Sequence, residues 1–98
     1  MSHHSTPAQT LRDLLGNAPL DQTARLTMGI GDLIQQEPNQ GVRLAAVLAA
    51  AHIAVELSGL PVYDCLTMTQ NIINHAHGIR PEFGGVKRYM QNEVFKKR

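Results

Sequence analysis

The sequence predicts an all-α fold, a compact bundle of four to five helices packed around a central alanine-rich apolar helix at about residues 40–58. Three observations carry this reading. Apolar residues recur at spacings of three and four through most of the chain. Gly, Pro and Asn residues cut it into segments of helical length. Finally, the run VRLAAVLAAAHIAVEL, Val42 to Leu57, is apolar on nearly its whole circumference, so a helix built from it has no solvated face and must be surrounded by something.

Each element is set by its own punctuation. Ser5 or Thr6 caps a first helix with Pro7 at its start, Leu11, Leu14 and Leu15 line one side, and Gly16-Asn17 ends it. Asp21 is the expected N-cap of a second helix, in which Leu26, Ile30, Leu33 and Ile34 fall at i, i+4, i+7 and i+8 and so form the expected core face. Gly29 and Gly31 within it each cost about 1 kcal/mol relative to alanine, which points to a neighbour that approaches closely.

The third helix starts near Gln40 and stops at Gly59, a favourable C′ residue, with Leu60-Pro61 after it. At 100° per residue, Leu44, Val47, Leu48, Ala51 and Val55 share one face and Val42, Ala46, Ala49, Ile53 and Leu57 the opposite one. His52 and Glu56, one turn apart, form a narrow polar edge and are expected to pair. Pro61 opens a fourth helix with a broad apolar stripe that includes Cys65, Leu66, Met68 and Ile72, ending at Gly78. Arg80-Pro81 and Gly84-Gly85 read as a loop, after which Val86, Tyr89, Met90 and Val94 resume helical spacing; residues 80–98 make a basic, aromatic C-terminal segment. Residues 1–5 are expected to lie outside the fold.

Composition narrows the class. Ninety-eight residues make one domain, and 43% hydrophobic against 17% charged residues is too apolar for a disordered chain. A formal charge of +1 gives no global argument for nucleic acid. Cys65 is the single cysteine, so no internal disulfide is required; with no N-terminal leader pattern in MSHHSTPAQT, a cytoplasmic location is expected. The 42–57 run falls short of the roughly 20 residues of a bilayer span and contains Arg43 and Glu56, so no membrane partner is expected.

Chemistry-bearing sets are sparse. His52, His75, His77, Cys65 and Glu56 lack the spacing of a metal motif, and His75 and His77 read as a polar helix terminus, so neither metal nor cofactor is expected. Cys65 sits on an apolar stripe, where a thiol is an inert small hydrophobe, and no carboxylate pair stands ready for acid/base work; catalysis is not expected. The turn Ser58-Gly59-Leu60-Pro61 between two helices resembles a helix-turn-helix in order only, because Asp64 in the would-be reading helix repels phosphate.

What remains is association. Apolar faces exceed what four short neighbours can cover, which marks a protein-interaction module, expected to be a homodimer and to act by binding or inhibiting a protein partner. Its size suits a small accessory protein of the kind mobile elements carry. Val47, Ala51, Val55, Phe83, Tyr89 and Phe95 are the expected contact residues. The alternative is a nucleic-acid contact through Lys87, Arg88, Lys96, Lys97 and Arg98, with Tyr89 or Phe95 stacking on a base.

Overall fold

A computed structural model describes residues 7–96. The fold is all-α: α1 Pro7–Gly16, α2 Leu20–Gln35, α3 Gln40–Ser58, α4 Val62–Ile73 and α5 Pro81–Tyr89, with a π-helical turn Met90–Val94 continuing α5. Between α4 and α5 lies a two-residue antiparallel ribbon, β1 Asn74–His75 and β2 Gly78–Ile79, in which Asn74 faces Ile79 and His75 faces Gly78. The expected first cap, Ser5 or Thr6, and residues 1–5 lie outside the described residues.

The core forms where α2 meets α5. Ala24, Phe83 and Val86 are buried together, and Leu20, Met28, Ile72, Ile73, Ile79 and Met90 pack around them. Small residues make this meeting close: a Cβ added at Gly31 would stand 3.0 Å from Met90 Cε and 3.1 Å from Tyr89 Cε2. The close approach read from the glycines therefore belongs to Gly31, whereas Gly29 faces open space.

The face expected to be the core of α2 is its outer one. Leu26, Ile30 and Leu33 are exposed, and only Ile34 of that set is half-buried. Periodicity located the large apolar residues, but close packing against α5 selected the smaller side of the helix. Three boundaries also differ. Pro19, with no side-chain cap bond, takes the place expected for Asp21. Helix α4 ends at Ile73, not Gly78, because Arg80 N donates to Ile73 O at 2.8 Å and turns the chain into the ribbon. Gly84 and Gly85, expected in a loop, lie inside α5, which Pro81 starts.

Helix α3 has the expected limits. Asn39 caps it, its side chain accepting from Gly41 N at 2.8 Å and Val42 N at 3.3 Å, and Gly59 ends it with φ 74°. Ser58 Oγ donates to Val55 O at 2.7 Å and accepts from Leu60 N at 3.1 Å, which sets the turn into α4. Near its C-terminal end α3 borders α1 and α4; at its start it is tied to α2 and the C-terminal turn. The five helices form a compact all-α bundle, as the sequence predicts.

Candidate interaction surface

No residue of α3 is buried within the chain. Its inner side, Val47, Val55 and Ser58, is half-covered, and Ala51 and Val55 line a groove of about 330 Å³ shared with Leu11, Leu15, Leu60 and Cys65. The opposite face is open from end to end: Val42 is 48% exposed, Ile53 54% and Leu57 79%, with Ala46 and Ala49 exposed between them. The neighbouring helices have 10, 16, 12 and 9 residues, and α2 and α5 are occupied with each other. They cannot also wrap a rod about 28 Å long.

The shortfall can be measured. A folded monomer of 10.8 kDa exposes about 5,500 Å². This chain exposes 7481 Å². The surplus is on the order of 1,900 Å², and large apolar side chains stand exposed on four helices: Leu11 and Leu14 on α1, Leu26, Ile30 and Leu33 on α2, Val42, Leu44, Leu48, Ile53 and Leu57 on α3, Val62 and Leu66 on α4.

Helix α3 has the length and composition to cross a membrane. The fold opposes that arrangement, because a spanning α3 would put α2 and α5 on opposite sides of the bilayer, and here those two helices share one core. Nor does α3 resemble a helix lying flat in a bilayer surface, which needs a strongly charged face opposite the apolar one. Its polar residues are few, and Arg43 points back into the protein.

Arg43 is the residue that sequence reasoning missed. Its Nε donates to Glu37 O, Nη2 to Gln35 O at 2.8 Å, and Nη1 to Val94 O at 2.7 Å and Glu93 O at 3.3 Å. One guanidinium thus satisfies terminal carbonyls of α2 and of the π-helical turn while anchoring the start of α3. The only signal in the sequence was an arginine at the edge of an apolar run. Arg12 and Asp64, likewise, form a salt bridge between α1 and α4.

The other expected contact residues are divided between surface and interior. Val47, Ala51 and Val55 lie along the inner side of α3, bordering the groove or half-covered. Phe83, 4% exposed, is committed to the α2–α5 core and is not available to a partner in the folded chain. Tyr89 is half-buried; its hydroxyl donates to Asp32 Oδ1 at 2.5 Å, with Gln35 Oε1 at 3.1 Å. The Asp32 hydrogen bond, with lesser help from burial and the Asp32 and Glu93 charges, pushes the Tyr89 pKa up to about 12. Phe95 is half-buried beyond the π-helical turn.

Of the basic set, Lys87, Arg88 and Lys96 are exposed, while Lys97 and Arg98 lie outside the described residues. Lys87 and Arg88 occupy the last turn of α5, where cations complement the helix dipole. His75 sits in the ribbon and His77 in the turn between its strands, not at a helix terminus; His77 N donates to His75 Nδ1 at 2.9 Å, and the rings meet edge to face. His52 and Glu56 are both exposed, and no bond joins them among the described residues. Cys65 is a buried free thiol.

A second apolar groove, about 570 Å³, runs between α2, α4 and α5. Thr23, Thr27 and Thr69 line it, yet their hydroxyls donate to Pro19 O, Thr23 O and Cys65 O of their own helices, which leaves the methyl groups as the lining. Comparison with protein families, curated proteins and solved structures finds no match to this chain.

Proposed function

We propose that this protein is a non-catalytic interaction module that works as a homodimer in the cytoplasm, and that in assembled form it binds or inhibits a protein partner. One observation carries the reading: a 19-residue apolar helix with no buried residue in the single chain. Apolar surface on this scale marks association, and the surplus of about 1,900 Å² exceeds the roughly 800 Å² that each partner gives to a stable interface. Two-fold pairing is the commonest closure for such a surface.

Light scattering across a sizing column at tens of micromolar is expected to give twice the 10.8 kDa chain mass. Ile53→Glu, on the open face of α3, is expected to give a monomer with unchanged helical circular dichroism. A wild-type particle of single-chain mass sinks the dimer. Nucleic-acid contact has less support, since Lys87, Arg88 and Lys96 share the C-terminal segment with Glu82 and Glu93 and the chain is nearly neutral. Binding that weakens steeply with salt, and with Lys87→Ala plus Arg88→Ala, is what that alternative requires.

A further inference from the structure

The dimer reading leaves open which way two copies meet, and the open face of α3 carries that information. Val42, Ala46, Ala49 and Ile53 succeed one another at intervals of four, three and four. This is the alternation of a helix–helix seam; its four positions carry no charge, and the next interval of three reaches the exposed Glu56 at the margin. Its spacing is also the same read in either direction. Bulky residues sit at both ends and alanines in the middle.

Resting on the dimer reading above, we infer that α3 pairs with α3 of a second copy in antiparallel fashion, about a two-fold axis passing between residues 47 and 48. Val42 of each copy then meets Ile53 of the other, and Ala46 meets Ala49. In this register the four positions pair large with large and small with small, and the central alanines let the axes approach more closely than the usual 8–10 Å. Leu57, the most exposed large side chain of α3, reaches the α2–α3 loop of the other copy near Pro38. Each helix N-terminus lies beside the other's C-terminus, so the dipoles are opposed favourably. A parallel pairing would set Val42 against Val42 and Ile53 against Ile53, and would bring like helix ends together.

A second copy is the occupant that the area supports. The surplus of each chain is more than twice one partner's share of a standard interface, so the seam can be covered with the outer faces of α2 and α4 contributing at its margins. Four uncharged positions that are symmetric on reversal need no second kind of surface, and in this register Glu56 at the margin meets Asn39 of the other copy.

Disulfide trapping tests the orientation. Val42 and Ile53 are exposed in the single chain, so cysteines there leave the fold intact, and buried Cys65 stays in place with wild-type protein as its control. Within the antiparallel pair, two copies of residue 42 stand about 16 Å apart along the axis, far beyond disulfide reach, whereas residue 42 lies beside residue 53 of the other copy. The doubly substituted Val42→Cys, Ile53→Cys protein is therefore expected to run as a covalent dimer after mild oxidation, and each single variant as a monomer on denaturing gels. Ala46→Trp is expected to weaken association at least tenfold without changing circular dichroism. Crosslinking of either single variant, or of none of the three while light scattering shows a dimer, overturns the antiparallel pairing and leaves the dimer reading standing. A wild-type chain that scatters as a monomer overturns both.

Discussion

Gly29 and Gly31 stand two residues apart on α2 and meet different surroundings. Gly31 is buried against Tyr89 and Met90, whereas nothing lies within 4 Å of a Cβ at Gly29. Replacing each with alanine separates propensity from packing. Gly29→Ala is expected to stabilise the protein by about 0.5–1 kcal/mol, the ordinary gain of alanine in a helix. Gly31→Ala loses that gain to a clash with Tyr89, whose ring is held by its hydrogen bond to Asp32. Paired urea melts should show shifts of opposite sign. Tyr89 itself makes stability depend on alkaline pH. Its pKa is raised in the folded chain, from 10.0 to about 12, so its contribution is fully present below pH 10 and is lost as pH rises from about 10 to 12. Thermal melts between pH 8 and 11.5 should fall more steeply for wild type than for Tyr89→Phe; parallel curves would remove the role assigned to this hydroxyl.

Between elements, Arg43 does what no apolar contact does: it joins the end of α2, the start of α3 and the C-terminal turn through four carbonyl oxygens. Arg43→Ala is expected to cost about 2–3 kcal/mol, because the half-buried carbonyls lose a charged donor. Arg43→Lys should recover little of it, since an ammonium cannot span the same fork. Chemical denaturation of the three proteins decides this. Helix α3 and the start of α4 were legible in advance at this scale, since Gly59 and Pro61 impose their boundaries locally. The early end of α4 was not, because it depends on Arg80 returning to Ile73 and on Arg80 Nε donating to Asn71 O at 2.9 Å. The inner side of α2 was hidden for a similar reason. Leu26, Ile30 and Leu33 outweigh Ala24 and Gly31 in hydrophobicity, but only the small residues admit α5 at close range.

For the whole molecule, the proposed assembly and the stability of the chain are linked. If α3 is covered by a second copy, unfolding is coupled to dissociation and the melting temperature must rise with protein concentration. A hundredfold increase is expected to raise it by roughly 5–10 °C for a domain of this size. A midpoint that does not move with concentration identifies a chain that is stable alone. The same scale explains why the partner-contact residues were only partly legible. Val47 and Val55 are half-covered while Leu44, Leu48 and Ala51 of the same face are exposed, and on the opposite face none of Val42, Ala46, Ala49 and Ile53 is covered. A helix apolar all round offers no pattern by which its own sequence could distinguish the two.

Local chemistry alone determined that this chain is helical, where α3 begins and ends, and that α3 has no face suited to water, because caps, αL glycines and side-chain periodicity act over a few residues. Which faces are spent inside the chain was decided only by the tertiary structure. Ala24 and Gly31 let α2 and α5 close on each other around Phe83, and once those two helices are committed, too little chain remains to cover α3.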